Sequence, residues 1–380
     1  MRKTFCLLLS LFLILLSFNA INAEGTAPID TSLVKSAMLI EAASGKTIFE
    51  YNSEAPLAVA GLTRLPALLI ICEAFDSGAI TEETTVTVSG KSAAVNGATA
   101  FLSEGEQISA ANLLRAAIMI NAGDAIHALI SIICGSESAA ADRINTRLSE
   151  LGISSQYVDI IGNDCTLSAL DLTKIGSSLL KCASFKKYSS LFYESLEHTN
   201  GSKPTELANP NKLVKQYSGC SGIATGSSSD AGYCGVFAAE RGGTSYLAVC
   251  IGAANSSNRF ATGIELLDYG FASFRSTKVI SAGDKVDTIQ ILGAIETELN
   301  IVAEKDLTLL LSTTDAKYIP ESQYEASLNA PIKQGQVLGT LKYLNSVGEE
   351  IGCVNLIAEE AVEAANLLDY LVLLFKCWVS

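Results

Sequence analysis

The chain has 380 residues, 49% of them hydrophobic, and a mean hydropathy of +0.33. That is room for two domains with a sizeable core, and it excludes a disordered chain. The formal charge of −14 repels phosphate backbones and anionic lipid headgroups, so no nucleic-acid partner is expected.

In chain order, Arg2 and Lys3 precede an apolar run over 6–18, and small residues follow up to Ala23. This pattern predicts a secretory signal peptide over 1–23 and export to the extracellular or periplasmic face of the cytoplasmic membrane. An uncleaved anchor is the other reading of that run. Residues 36–42 and 47–52 alternate around Ala43-Ser44-Gly45-Lys46 and predict a hairpin. A helix apolar nearly all round is expected over 65–75, and a short strand over 84–88. Further helices are expected over 109–119, 125–133, 137–151 (closed by Gly152) and 168–182 (opened by Ser168 and Asp171). Strands return after residue 220, at 232–240 and 244–253, and a helix follows over 261–271. From 278 to 357 short β-rich pieces separated by glycine turns predict a small second domain. In the last twenty residues Asn366, Asp369 and Lys376 share one helical side, and leucines with Trp378 fill the rest. That predicts an amphipathic helix lying on a membrane surface through 366–380. A helix docked on its own domain is the alternative.

Ten cysteines are scattered without a Cys-x-x-Cys pair, and His127 and His198 are the only histidines. No metal site, no cofactor and no disulfide framework is expected, although a Cys220–Cys234 bridge stays open.

Four segments carry a family resemblance. SAMLIEAASGKTIFEYN (36–52), GSESAAADRINTRLSELGI (135–153), ANPNKLV with SGCSGIATGSSSDAGYC (208–234) and APIKQGQVLGTLKY (330–343) occur in one order. In that order they resemble the serine-type D-alanyl-D-alanine carboxypeptidases, the low-molecular-mass penicillin-binding proteins. The resemblance covers nearly all of the chain after residue 23. It implies an α/β (α+β) architecture of the β-lactamase/DD-peptidase type over 24–275, with an antiparallel sheet and a helical subdomain. A β-rich domain over 276–360 and a terminal helix over 361–380 complete the expected order.

The family's chemistry uses Ser-x-x-Lys, Ser-x-Asn and Lys-Thr-Gly. Ser and Lys three residues apart share a helix face, so the amine can take the hydroxyl proton. Here the first motif falls on Gly61 and Arg64. Glycine has no nucleophile, and a guanidinium keeps its proton at any working pH. Pro66, two residues on, predicts a helix that starts after Gly61, with the proline in its first turn. The second motif falls on Asn121 and Gly123. The third falls on Ala224, Thr225 and Gly226, without its lysine. Elsewhere, Ser32-x-x-Lys35, Ser184-x-x-Lys187 and Ser256-Ser257-Asn258 match the spacings by chance. Thr63 is expected to point away from the old site.

The resulting expectation is a pseudoenzyme that binds peptidoglycan stem peptides or an active carboxypeptidase relative. Arg64, Thr225 and Gly226 are its candidate ligand contacts. Two other readings remain: an active carboxypeptidase with a displaced site, and a structural envelope protein whose groove is filled.

Overall fold

The structure is a computed structural model that describes residues 27–313 and 317–371. The expected signal peptide over 1–23 lies outside the described residues, as do residues 372–380 of the expected terminal helix.

Five antiparallel strands form the central sheet. They are β1 (Ser36–Glu41), β2 (Thr47–Tyr51), β3 (Cys220–Ser228), β4 (Gly232–Arg241) and β5 (Thr244–Ala253), in the order β2-β1-β5-β4-β3. β1 is buried at every position and pairs with β5 from Ser36 opposite Ile251 to Glu41 opposite Tyr246. Successive side chains of a strand point to opposite faces. So Met38 and Ile40 enter one apolar cluster, while Ala37 and Leu39 enter the other.

The larger cluster lies under a helical layer: α1 (Leu65–Asp76), α2 (Ala110–Ile120), α3 (Gly123–Cys134), α4 (Glu137–Glu150) and α5 (Ala169–Leu179). α1 is buried on nearly its whole circumference, as its uninterrupted apolar run requires. The smaller cluster is closed by α6 (Ser256–Ser273).

Helix starts follow side-chain caps. Ser109, Ser136 and Ser168 each accept a backbone N–H three residues ahead, and Ser168 with Asp171 forms a reciprocal capping box. α6 begins five residues before the expected 261, because Asn255 caps it by accepting from Asn258 N. The same boundary puts Ser256-Ser257-Asn258 in the first helical turn.

Eight strands build the second domain: β6 (Phe274–Ile280), β7 (Lys285–Leu292), β8 (Glu298–Ala303), β9 (Leu307–Ser312), β10 (Ile319–Tyr324), β11 (Ser327–Asn329), β12 (Val337–Leu344) and β13 (Glu350–Ala358). They pair as β6-β9 and as β10-β12-β13-β8-β7-β11. Val354, Leu356 and Ala358 of β13 alternate into a separate core with Ile301, Leu309 and Leu341. β8, β10 and β11 escape sequence reading: β10 (IPESQY) is polar and mostly exposed, and β11 is three residues long.

A helical turn starts at residue 367, where Asn366 accepts from Leu368 N and Asp369 N. Leu367 and Leu368 are exposed. Among the described residues no helix is long and apolar enough to cross a membrane, and the eight described cysteines, including Cys220 and Cys234, are free thiols.

Ser168→Ala removes the capping acceptor of α5 and is expected to destabilise the first domain by about 1 kcal/mol. Urea unfolding would show it as a lower midpoint with an unchanged slope.

Candidate functional site

After β2 the chain makes a 3-10 turn, Ala60–Arg64, that leads directly into α1. Pro66 stands in the first turn of α1, where its missing N–H breaks no helical bond. The helix therefore starts after Gly61, as the proline requires.

A cleft of about 330 Å³ opens beside this turn. Gly61 and Arg64 line it from the turn, Asn121 from the α2–α3 junction, Thr225, Gly226 and Ser227 from edge strand β3, and Arg259 from α6. Asn121 takes a left-handed conformation (φ 53°) that ends α2, and its Nδ2 donates to the Gly61 carbonyl at 2.7 Å. β3 crosses so near the turn that a Cβ on Gly226 would lie 3.0 Å from the Gly61 amide nitrogen. Only glycine fits there without a shift.

Arg64 is buried. Its Nη1 donates to the carbonyls of Ala98 (3.0 Å) and Asn121 (2.9 Å), and its Nη2 to that of Asn96 (2.6 Å). It thereby ties the 94–98 loop to the helix junction. Burial pushes the guanidinium pKa down, and the Asp124 carboxylate acts in the opposite direction. Asp124 is itself buried and accepts the N–H groups of Ala100, Leu102 and Ala125. The guanidinium also fills the space in front of Gly123: a Cβ there would lie 2.7 Å from Arg64 Cζ and 2.7 Å from Val95 Cγ1. The arginine at 64 and the glycine at 123 thus fit each other.

Arg259 is the second cation. Its Nη1 donates to the carbonyl of Gly226 at 3.2 Å, its Nη2 lies 3.3 Å from Ser256 Oγ, and its guanidinium packs on Phe260 with 4.5 Å to the ring centroid. Desolvation pushes its pKa down too. Three buried polar atoms of the cleft, Arg64 Nε, Asn121 Oδ1 and Arg259 Nε, have no partner among the described residues. Buried polar groups are normally paired, so such a cluster suits a polar ligand or water.

The structure brings Gly61, Arg64, Asn121, Thr225 and Gly226 together around this cleft. Gly123 lies behind the Arg64 guanidinium, and Ala224 belongs to the larger apolar cluster and does not line the cleft. Arg64 is a poor carboxylate hook, because three of its protons already go to carbonyls. Arg259 was missed by sequence reasoning. A helix start at Asn255, readable from its capping side chain, would have put that arginine in the first inward-facing turn.

The alternative serines are engaged elsewhere. Ser32 donates to Asp30 and Lys35 to the Asp230 carbonyl. Ser184 donates to the Cys72 carbonyl, while Lys187 pairs with Glu82. Thr63 donates to the Ile161 carbonyl, away from the cleft. His198 is buried against Glu106 at 2.9 Å.

A helical layer over an antiparallel sheet, with a cleft between the leading turn of the first long helix, a helix junction and an edge strand, and with a β domain behind, defines the penicillin-binding class of fold. The chain belongs to the D-alanyl-D-alanine carboxypeptidase family, whose pattern matches residues 23–255. Residues 274–364 match the penicillin-binding protein 5 C-terminal domain. The chain is 28% identical over 354 residues to D-alanyl-D-alanine carboxypeptidase DacF of Bacillus subtilis, covering 91% of this chain and 90% of that one. To DacC of Escherichia coli it is 27% identical over 391 residues, covering 97% and 95%. The fold is similar to that of penicillin-binding protein 5 from Haemophilus influenzae, with a TM-score of 0.77, 22% identity, and 87% of this chain and 98% of that one covered.

Gly123→Ala is expected to cost about 2 kcal/mol by overpacking. In an Arg64→Lys background the cost is expected to fall by about 1 kcal/mol, read as the coupling in a double-mutant cycle of urea unfolding free energies. Strictly additive effects would mean that Val95 alone sets the limit at 123.

Proposed function

We propose that this D-alanyl-D-alanine carboxypeptidase-family protein has lost acyl transfer and keeps its cleft to bind the carboxylate end of a peptide in peptidoglycan metabolism. One observation carries the reading. The ionisable groups that line the cleft are two guanidiniums, and neither can act as a general base. The hydroxyls of Thr225 and Ser227 line the cleft, but among the described residues no lysine, histidine or carboxylate lines it to take a proton from them.

Binding is a different demand, and the cleft supports it. Arg259, a buried cation of the cleft without a carboxylate partner among the described residues, favours an anionic group. The exposed end of β3 offers its backbone to an extended peptide, as in strand addition. The open cleft also speaks against a filled groove. Export is part of the same reading, supported by the basic and apolar pattern of residues 1–23. Contact with a membrane surface through 366–380 is supported by the exposed Leu367 and Leu368. The same surface is also open to an active carboxypeptidase relative as partner.

Intact-protein mass after exposure to excess penicillin is expected to show no adduct, beside a reactive relative as control. Gly61→Ser is expected to fold, since a Cβ at 61 meets only Asn121 Nδ2, at 3.4 Å. It is also expected to stay unreactive, for want of a base. An adduct on the natural chain would overturn the loss of acyl transfer, and one on Gly61→Ser would overturn the lack of a base. In a separate titration, a peptide ending in D-Ala-D-Ala is expected to bind without hydrolysis, and Arg259→Leu to weaken it about tenfold. A cleft that ignores such a peptide would leave the protein without this ligand.

A further inference from the structure

A second cavity, of about 380 Å³, shares the 94–98 loop with the cleft: Val95 and Asn96 line this cavity, while Gly97 and Ala98 line the cleft. Neither the family's motifs nor the cleft use it.

Its centre is His127 on α3, which is 7% exposed. The ring is held from behind, with Nδ1 3.0 Å from Ser92 Oγ and 3.4 Å from Ser131 Oγ. With Ser92 donating to Nδ1, the ring proton sits on Nε2. Nε2 lies 3.4 Å from Glu137 Oε1, which also accepts from Lys91 Nζ at 3.0 Å. Asp159 faces the same space. Its Oδ1 is taken by the N–H groups of Ile161, Gly162 and Asn163, and its Oδ2 accepts from Asn163 Nδ2. Ile160, Ile161 and Val95 supply an apolar side.

The charges decide the ligand class. A simple anion would meet Glu137 and Asp159, and a simple cation would meet Lys91. Lys91 and Glu137 pair with each other at 3.0 Å, and a molecule that carries both signs a few ångströms apart can insert between them, one sign to each partner. Burial pushes the His127 pKa down, with Glu137 acting the other way, so the ring serves as a neutral N–H donor near pH 7 and adds no further charge. The described residues hold no group of three or more His, Cys, Asp or Glu side chains able to bind a metal ion.

We propose that this cavity binds a free α-amino acid as its zwitterion, with the ammonium toward Glu137 and Asp159 and the carboxylate toward Lys91 and the His127 Nε2–H. The volume suits a small molecule, and an oriented, nearly buried histidine beside mixed charges and apolar walls is the usual make-up of such a site.

The test follows the ring resonances of His127 and His198 by NMR while glycine or alanine is titrated into the full chain near pH 7. N-acetylalanine and alanine amide, each lacking one charge, are the controls. Saturable shifts of His127 alone are expected, at least tenfold weaker with either control. Glu137→Gln and Lys91→Gln change partly exposed side chains and are each expected to weaken binding at least fivefold. Arg259→Leu, a cleft substitution, is expected to leave this titration unchanged, which separates the cavity from the peptide site. A silent His127, equal responses to the one-charge controls, or unchanged affinity in both charge variants would overturn the proposal.

Discussion

The buried Arg64 guanidinium, donating to the carbonyls of Asn96, Ala98 and Asn121, is the contact on which the cleft is built. It joins the turn before α1, the loop over the cleft and the α2–α3 junction through one planar group. Planarity and five fixed donors let an arginine hold several acceptors at once, where a lysine would act as a mobile point charge. The arrangement also sets what cannot happen at the site. A side chain at 123 would collide with the guanidinium, and the guanidinium cannot release a proton. The cleft keeps its geometry because this guanidinium is a brace.

Electrostatics then separate the cleft from the rest of the molecule. The protein carries a formal charge of −14, yet the cleft presents two desolvated cations. Asp124 lies near Arg64, but its oxygens are occupied by backbone N–H groups of Ala100, Leu102 and Ala125. It tempers the arginine's charge at a distance without closing an ion pair. The cleft is thus a local cationic site in a chain of net negative charge.

Much of this was legible in the sequence, for identifiable reasons. The SAMLIEA and TIFEYN runs, the α1 apolar run and the Ser168/Asp171 cap are local signals, and each specifies its element by itself. Pro66 located the start of α1 by a local steric rule. What escaped reading depends on distant contacts. Nothing near Arg64 in the chain says that it will reach Asn96, Ala98 and Asn121. Arg259 was hidden by a helix start placed five residues late. Ala224 reads as a strand neighbour of Thr225, but it packs into the apolar cluster together with Ile223. β10 and β11 escaped because a polar or very short strand carries no periodic signal.

Strand β3 stands at the edge of the central sheet, and an unpaired edge is where copies of a protein tend to join and aggregate. Here most of that edge is out of reach: Gly222 to Thr225 are buried, and only Gly226, Ser227 and Ser228 come toward solvent at the end. Three residues are too few to template a growing sheet, and the crossing of the Gly61 turn over Gly226 caps the stretch from one side. The edge can thus be presented to solvent without becoming a nucleus for fibrous self-assembly.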